Sequence, residues 1–267
     1  LSGNALRFAH LSDLHLPHEP RLRLCEHFSK RQLSVWSWRR RRAVQSPVVL
    51  EALLADMSTH RPDRILVTGD LTNFSLPAEF TAAAAWLGRM PVPASVVPGN
   101  HDRLVPVPEA EGWGKLAKWS TAGEWPYVHR HGRVSLIGLS SALPTAPLLA
   151  SGRLGSAQCA RLGRVLAQER EAAQLAILML HHPPADGVVS ARKALRDRRE
   201  LRAVLREHGA ALVLHGHARN ARLDSLPGPA GPIPCLCVPS STALPNPHDE
   251  AARWHLLELP AASAGWA

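Results

Sequence analysis

The sequence contains no apolar stretch long enough to cross a membrane. The longest ones, residues 175–180 and 210–214, end far short of the roughly 20 residues that a membrane-spanning helix needs. The first residues lead directly into a strand-like segment, without the charged leader, long apolar core and small-residue cleavage site of a secretory signal. The sequence therefore gives no support to a spanning segment or to export.

Cysteine is scarce as well. The 267 residues include four cysteines, which are Cys25, Cys159, Cys235 and Cys237. They are too few and too scattered for the disulfide framework of a small secreted domain, so a reducing compartment is expected. Cys235 and Cys237 alternate along a predicted strand and share one face, which favours buried structural thiols over a metal site. We therefore predict a cytoplasmic protein.

Acidic residues are outnumbered by basic ones. The chain has 22 Asp and Glu against 31 Lys and Arg, a formal net charge of +9 at pH 7. Such a protein is expected to attract polyanions, anionic membrane surfaces or phosphorylated substrates, and charge alone does not choose among them. Hydrophobic residues at 45% and charged residues at 20% are typical of a globular domain and exclude a disordered or fibrous chain.

Short runs rich in Val, Ile and Leu alternate with longer segments of helical character, which is the pattern of an α/β protein. Eight strands are predicted, over residues 6–12, 64–68, 94–97, 134–139, 175–180, 211–214, 233–238 and 254–259. Four helices are predicted, over residues 47–59, 77–87, 156–173 and 195–208, with Ser156 as the N-cap of the third. The Pro- and Gly-rich segment 227–234 favours a turn over a linker. Residues 1–267 are therefore predicted to form one domain.

Residues 19–45 interrupt this alternation and are predicted to be an insertion. It holds apolar residues, Trp36 and Trp38 among them, followed by four arginines at positions 39–42. A charge run of this kind often forms no more than a solvated helix face. The mixture is also typical of a membrane interface or a site for a lipid-phosphate substrate, and of a surface that stacks single-stranded nucleic acid. The sequence leaves these interpretations open.

Polar residues of the types that bind metals follow five of the predicted strands. They are Asp13 and His15, Asp70, the run Asn100, His101 and Asp102, the pair His181 and His182, and finally His215 and His217. Each group stands just past the carboxyl end of its strand, which is the edge where open α/β sheets build ligand sites. Any one group is a weak signal, because isolated residues of this kind are common at turns. Five on one edge predict a site.

The chemistry of these residues favours two metal ions. Imidazoles, carboxylates and an amide oxygen form a mixed nitrogen and oxygen set that suits Mn, Fe or Zn, and the set lacks the thiolates that a structural zinc site would favour. There are more donors than one ion needs. Asp70 has two oxygens with which to bridge a pair of ions about 3.5–4 Å apart, the spacing used in phosphoryl displacement.

The motifs that carry these residues resemble those of the calcineurin-like metallophosphoesterase superfamily. They are Asp13-x-His15, Gly69-Asp70, Gly99-Asn100-His101-Asp102, His181-x-Pro183 and Gly216-His217, in the order of the family. The resemblance implies a four-layer α/β/β/α sandwich, with two mixed sheets face to face and helices outside. It also implies hydrolysis of a phosphodiester or phosphomonoester by a hydroxide activated at a dinuclear metal site.

The resemblance also implies roles for individual residues. Asp13 and His15 bind the first metal, Asp70 bridges, and the second metal is completed by Asn100, His181 and His217. His101 stabilises the transition state or protonates the leaving oxygen. Asp102 holds that imidazole in orientation. His182 has no ligand counterpart and is expected to be structural or to support a ligand.

The last motif departs from the family. Where the family has Gly-His-x-His, with the second histidine on the first metal, this chain has Arg219. Arginine offers only donors and stays protonated, so it cannot ligate a metal. In one account water takes the vacated place and Arg219 binds substrate phosphate. In the other, His215 and His217, which share a strand face, serve both metals.

Three functions remain open at this stage. The leading one is a cytoplasmic phosphoesterase, a phosphodiesterase rather than a phosphatase, because the compact chain resembles the small bacterial cyclic-nucleotide phosphodiesterase branch of the family. The second is a lipid-directed pyrophosphohydrolase or phosphatase that resembles the UDP-diacylglucosamine pyrophosphohydrolases, with its insertion in peripheral contact with an anionic membrane. The third is a non-catalytic binder with a degenerate first-metal site.

Overall fold

The computed structural model describes residues 5–121 and 123–260, without the side chain of Arg41. Residues 1–4 and 261–267, the ends of the predicted domain, lie outside the described residues. Within the described part, two sheets are each covered by helices. Among these residues no helix is both long enough and apolar enough to cross a bilayer.

The first sheet has four strands, and three of the five predicted motifs follow its strands. Its strands are β1 (Leu6–Leu11), β2 (Arg64–Val67), β3 (Ala94–Val96) and β10 (His255–Leu259), in the spatial order β10-β1-β2-β3. β1, β2 and β3 run parallel, whereas β10 pairs antiparallel with β1 and places Leu259 opposite Leu6. The carboxyl ends of the three parallel strands therefore meet at one edge.

The second sheet has six strands. They are β4 (Tyr127–His131), β5 (Val134–Gly138), β6 (Leu175–Met179), β7 (Leu212–His215), β8 (Arg222–Gly228) and β9 (Gly231–Cys237), in the order β4-β5-β6-β7-β9-β8. The central four are parallel, and the outer strands β4 and β8 are antiparallel to their neighbours. Both sheets are thus mixed, as the sequence predicts.

Side chains that alternate along each strand divide the core into three layers. Phe8 points between the sheets, where it packs with Leu66, Leu136 and Met179. Its neighbour Ala9 faces outward because successive strand residues lie on opposite faces. The outer face of the first sheet is covered by α2 (Pro47–Thr59) and α3 (Pro77–Gly88), and that of the second by α4 (Ser156–Glu171) and α5 (Arg198–His208). The four-layer sandwich is therefore confirmed.

Several boundaries differ from the predictions. Gly155, not Ser156, occupies the N-cap of α4. α5 begins three residues later than predicted, because the carboxylate of Asp197 accepts hydrogen bonds from the backbone of Leu154 and Gly155 and fixes its own segment outside the helix. β4 and β8 were not predicted. The Pro- and Gly-rich segment contains the ends of the β8–β9 hairpin as well as its turn.

The insertion folds as a 3₁₀ helix (Leu24–Phe28) followed by α1 (Lys30–Arg41). On its inner side Val35 and Trp38 pack against Phe74 and Leu76. The buried guanidinium of Arg31 donates to the carbonyl oxygen of Phe74 at 3.0 Å, to that of Ser75 at 2.7 Å and to Glu26 at 2.7 Å. α1 is therefore an anchored element, and not only a solvated face. All four cysteines are free, and only Cys25 is exposed.

Candidate metal centre

The structure brings the five motifs together at the carboxyl ends of strands from both sheets. Asp13 and His15 follow β1, Asp70 follows β2, Asn100 and His101 follow β3, His181 follows β6, and His217 follows β7. His101 is partly exposed, and the other six side chains are buried. The site therefore spans the seam between the two sheets, with its carboxylates and amide on the first sheet.

Asp70 lies at the centre of this arrangement. Its carboxylate belongs to two groups of donors, one with His15 and His101 and the other with Asp13 and His181. Within each group the ligating atoms lie within 4.8 Å of one another. One carboxylate shared between two donor groups is the geometry that a bridging ligand needs.

The donors around His181 have the spacing of ligands on a single ion. Its Nε2 atom lies 3.1 Å from Nδ1 of His217, 3.2 Å from Oδ1 of Asn100 and 3.4 Å from Oδ2 of Asp70. Ligands bound at about 2.0–2.2 Å in tetrahedral or octahedral geometry lie about 3.0–3.5 Å from each other. The residues present therefore fit a divalent cation at this place.

Backbone carbonyls set the tautomers of the two buried imidazoles. The Nδ1 atom of His181 lies 2.7 Å from the carbonyl oxygen of Thr68, and the Nε2 atom of His217 lies 3.1 Å from that of Lys193. A carbonyl only accepts, so each of these nitrogens carries its proton there. The opposite nitrogens, Nε2 of His181 and Nδ1 of His217, lie 3.1 Å apart on the side of the other donors and are the atoms that would bind a cation.

The carboxylates are oriented by hydrogen bonds from neighbouring loops. Asp13 accepts from Oγ of Ser12 at 2.7 Å and from the backbone N–H of His217 at 3.1 Å, so it links the two sheets. Asp70 accepts from the backbone N–H of His101 at 2.7 Å. These contacts leave the remaining carboxylate oxygens for cations.

The loops that carry the ligands use an unusual backbone conformation. Asp13, His15, Asp70 and His217 all have positive φ, between 42° and 68°. Non-glycine residues adopt this left-handed region at a cost that surrounding structure must offset, and such residues cluster at functional sites.

Two glycines allow the loops to approach closely. A Cβ atom on Gly99 would lie 2.1 Å from Oδ1 of Asp70, and one on Gly216 would lie 1.9 Å from Oγ of Ser12. Any side chain at either position would displace a ligand or its support. The Gly-Asn-His-Asp and Gly-His motifs therefore need their glycines for space.

Burial and charge together perturb the ionisation of this cluster. Burial raises the pKa of Asp70, but the neighbouring imidazoles, His181 first, more than offset this and hold it well below its ordinary value. Burial lowers the pKa of His181, but Asp70 outweighs it and raises the pKa to about 9. Burial, with a contribution from His182, holds the pKa of His217 well below its usual range. The negative charge of Asp70 therefore favours a proton on the nearby imidazole of His181, at the place where the donor atoms fit a cation.

The structure places His101 beside the donors and shows what orients it. The Nδ1 atom lies 2.8 Å from the carbonyl oxygen of Asn73, and the ring meets that of His15 edge to face at 4.9 Å between centroids. Asn73 was not predicted, and because the contact uses a backbone atom, no residue type signals it. The Nδ1 proton is therefore committed to a carbonyl.

Asp102, which the family resemblance expects to orient His101, lies among backbone donors of two loops. Its carboxylate accepts hydrogen bonds from the backbone N–H groups of Leu71, Thr72 and Gly99 and from the hydroxyl of Thr72. Burial, with the charge of Asp70, raises the pKa of Asp102 to about 7. Asp102 therefore joins the loop after β2 to the loop after β3, which carries His101.

The two remaining histidines lie outside both donor groups. Nδ1 of His182 lies 2.9 Å from Oγ of Ser141 and Nε2 lies 3.2 Å from the carbonyl oxygen of Ala150, which is the structural role expected for it. Nδ1 of His215 lies 3.0 Å from the carbonyl oxygen of Gly216. This placement favours the account in which His215 is not a ligand.

Arg219 stands where the family places its second histidine, and it lines a small cavity together with Asp13 and His15. Its Nη1 atom lies 3.2 Å from Oδ1 of Asp249, another residue of the same cavity. Asp249 was not predicted, because it lies outside the motifs and no local pattern marks it. The arginine is therefore held beside Asp13 and His15 by a carboxylate.

Comparisons with known proteins agree with this geometry. The family model of the calcineurin-like phosphoesterases matches residues 6–218. A probable cyclic nucleotide phosphodiesterase of Synechococcus sp. is 28% identical over 257 residues, which cover 95% of this chain and 88% of the relative. A glycerophosphodiester phosphodiesterase of Enterobacter lignolyticus is 43% identical over 42 residues, 16% of this chain and 15% of the relative.

Solved structures show the same fold at low sequence identity. A dimetal phosphatase from Danio rerio has a TM-score of 0.60 at 13% identity, over 97% of this chain and 94% of its own. A purple acid phosphatase from yellow lupin seeds has a TM-score of 0.57 at 13% identity, over 96% of this chain and 48% of its own.

Proposed function

The chain belongs to the calcineurin-like phosphoesterase family, and from this premise we propose that it is a metal-dependent phosphodiesterase. The observation that carries the proposal is the carboxylate of Asp70, shared between two donor groups at the seam of the sheets. The free cysteines favour a reducing compartment, so we propose a cytoplasmic location. We also propose that residues 1–267 form one domain, with the insertion at 19–45.

We propose the ligand roles that the family motifs imply. Asp13 and His15 would hold the first cation, Asn100, His181 and His217 the second, and Asp70 both. The nitrogen and oxygen donors suit Mn, Fe or Zn. Two such cations would supply an activated water nucleophile and neutralise charge on the phosphoryl oxygens.

Side chains of the protein would then protonate the leaving oxygen and bind the phosphate. With Nδ1 of His101 committed to the carbonyl oxygen of Asn73, transfer of a proton to the leaving oxygen falls to Nε2. Asp102 holds the loops after β2 and β3 and thereby keeps His101 beside Asp70. Arg219 faces the same cavity as Asp13 and would contact a phosphoryl oxygen that does not react.

The pairing of Arg219 supports a diester over a monoester. A phosphodiester carries one negative charge and a phosphomonoester carries close to two at pH 7. Asp249 already offsets much of the positive charge of Arg219 at 3.2 Å. The name of the Synechococcus relative, a probable cyclic nucleotide phosphodiesterase, points the same way.

The test is hydrolysis by the purified protein with its metal content measured. We expect two bound ions, and faster metal-dependent hydrolysis of bis(p-nitrophenyl) phosphate than of p-nitrophenyl phosphate with Mn, Fe, Zn or Mg. Asp70→Asn is expected to abolish turnover and lower the metal content, because it removes the charge that holds two cations together. No turnover with any metal would instead indicate the non-catalytic binder, and a preference for the monoester would indicate a phosphatase.

A second candidate function, action on a lipid-phosphate substrate at a membrane, is favoured by the outer side of the insertion. Leu24 is 88% exposed and Phe28 is 96% exposed, and Arg39 is exposed on the adjoining helix. Apolar side chains beside arginines suit an interface with anionic lipid.

Vesicle sedimentation tests this candidate. We expect binding to vesicles with anionic phospholipid that falls as salt rises, and that is weakened by Leu24→Ser with Phe28→Ser. Equal binding to neutral vesicles, or none to anionic ones, would contradict it. Binding of a single-stranded oligonucleotide instead would favour the nucleic-acid interpretation.

A further inference from the structure

A cavity of about 560 Å³ opens beside the metal centre, between the first sheet and the insertion. His15 lines it on the side of the metal centre, and Trp38, Arg42 and Gln45 line it on the side of the insertion. His15 and Gln45 also line the small cavity that holds Arg219. A group attached to a phosphate at the metal centre would therefore enter this larger cavity, whose volume suits a small molecule.

The wall of this cavity is fixed to the loop behind the metal ligands. Where the insertion returns to the first sheet, Ser46 N–H donates to the carbonyl oxygen of Thr242 at 2.8 Å, and Leu244 N–H donates to that of Val44 at 2.7 Å. In the same loop Ser240 Oγ donates to the carbonyl oxygen of Asp13 at 2.7 Å. The cavity wall and the loop that carries Asp13 are thus joined by hydrogen bonds, which fix the distance between them.

Trp38 gives the cavity an aromatic wall. Its ring packs edge to face against that of Phe74, with 5.9 Å between the ring centroids. The guanidinium of Arg42 lies over the ring at 6.0 Å, which is the outer limit of a cation–π contact. Arg42 is exposed and α1 ends just before it, so a planar ring can take its place against Trp38, with the guanidinium on the other side. Arginine stacks on such rings readily.

We propose that this cavity binds the nucleoside part of a nucleoside phosphodiester, with the base stacked between Trp38 and Arg42. The inference rests on the proposed phosphodiesterase function and deepens it. The lining also offers Gln45, Glu19 and Thr242, whose amide, carboxylate and hydroxyl groups match the ring nitrogens and sugar hydroxyls of a nucleoside. An acyl chain could form no hydrogen bonds with these polar groups, and burying them against it would cost free energy.

Product inhibition tests the cavity apart from the chemistry. The inhibition constants of adenosine 5′-monophosphate and ribose 5-phosphate are measured against the chromogenic diester in the metal-loaded enzyme. The two share a phosphate and a sugar and differ in the base. We expect the nucleotide to bind more tightly by about 5-fold to 150-fold, the range that one stacked base supplies. Equal constants would overturn the proposal.

Variants assign the effect to the two residues. Trp38→Leu is expected to bring the ratio of the two constants close to one, Trp38→Phe to keep part of it, and Arg42→Gln to lower it. Trp36→Leu and Arg40→Gln remove the same side-chain types from the exposed side of the same helix and are expected to keep the wild-type ratio. A ratio that persists in both Trp38→Leu and Arg42→Gln would refute the stacking role.

Two further measurements separate the possible failures. Because Trp38 also packs against Phe74, the thermal unfolding of Trp38→Leu is recorded, whereas Arg42→Gln changes an exposed residue and tests the cavity without that risk. If the enzyme hydrolyses no ester with any metal, the proposed function is wrong. Calorimetric binding of the two phosphates to the protein loaded with Mn²⁺ then still decides whether the base is recognised.

Discussion

Arg219 and Asp249 form an ion pair of 3.2 Å in a cavity that they share with Asp13 and His15. The pair lies beside Asp13 and His15, where the family has a histidine. It places a positive charge and its counter-charge next to the proposed site of the first cation.

Arg219→His is therefore expected to tighten the first metal, because it removes a nearby positive charge and supplies an imidazole. The concentration of metal needed for half-maximal activity should fall, and the Michaelis constant for the diester should rise as the phosphate loses a cation. Metal titrations of activity measure the metal requirement, and substrate titrations at saturating metal measure the Michaelis constant. Arg222→His is the control, since Arg222 pairs with Asp224 on β8. An unchanged metal requirement in Arg219→His would mean that the first shell is already complete.

His101→Ala should leave both metals bound and slow hydrolysis by about 10²-fold to 10⁴-fold, the usual effect of a lost general acid or transition-state contact. Diesters with good leaving groups should lose less, because their leaving oxygen needs no proton. Metal analysis and a series of substituted phenyl esters provide the readouts. Since His101 lies in the same donor group as His15 and Asp70, loss of a metal ion would show that it is a ligand.

Arg31→Met should detach the insertion from the sandwich. Arg31 makes three contacts with Glu26 and with the carbonyl oxygens of Phe74 and Ser75. Its removal leaves the two carbonyl oxygens without this donor and leaves Glu26 with Arg23 as its remaining cation, at 3.4 Å. We expect a loss of about 2 kcal/mol in the free energy of unfolding and faster proteolysis within residues 19–45. Arg39→Met changes an exposed arginine of the same helix and is expected to alter neither. Equal proteolysis of both variants would contradict the anchoring role.

Glu169→Gln should destabilise the protein in a manner that depends on pH. The hydrogen bond from Arg130 holds the pKa of the Glu169 carboxyl below its ordinary value, although burial opposes it, and Ser135 adds a second bond. A lowered pKa gives stability that is present above the pKa of the unfolded chain and is lost as pH falls through that of the folded protein. The deficit should be about 1–2 kcal/mol at neutral pH.

Urea unfolding between pH 3 and 7 measures this deficit, which should shrink below about pH 4. Glu171→Gln changes an exposed residue at the end of the same helix and serves as the control. A deficit that is constant with pH would show that the charge of Glu169 contributes nothing.

The position of the candidate ligands was predictable because each of them follows a strongly apolar strand. Ile65, Leu66 and Val67 are all fully buried, and a run of that kind fixes where the strand ends and hence where Asp70 lies. Parallel strands then bring their ends to one edge. The strand ends could therefore be predicted from the local sequence alone.

The missed features lack such a pattern. β4 consists of Tyr127, Val128, His129, Arg130 and His131, which has few apolar residues because it is an edge strand, and β8 contains a proline, which an edge strand tolerates. Asn73 acts through its carbonyl oxygen. Asp249 and the cavity beside Trp38 arise from segments that are far apart in the sequence, and only the folded chain shows that they meet.

The pairing of β1 with β10 determines when the first sheet can be completed during synthesis of the chain. Leu6 lies opposite Leu259, so one side of β1 has no partner while the ribosome adds about 250 further residues. During that interval the free backbone groups of β1 are open to pairing with other chains, and the first donor residues, Asp13 and His15, stand next to that unfinished edge. The candidate metal centre also needs His217, which follows β7, so it should become loadable only late in biosynthesis.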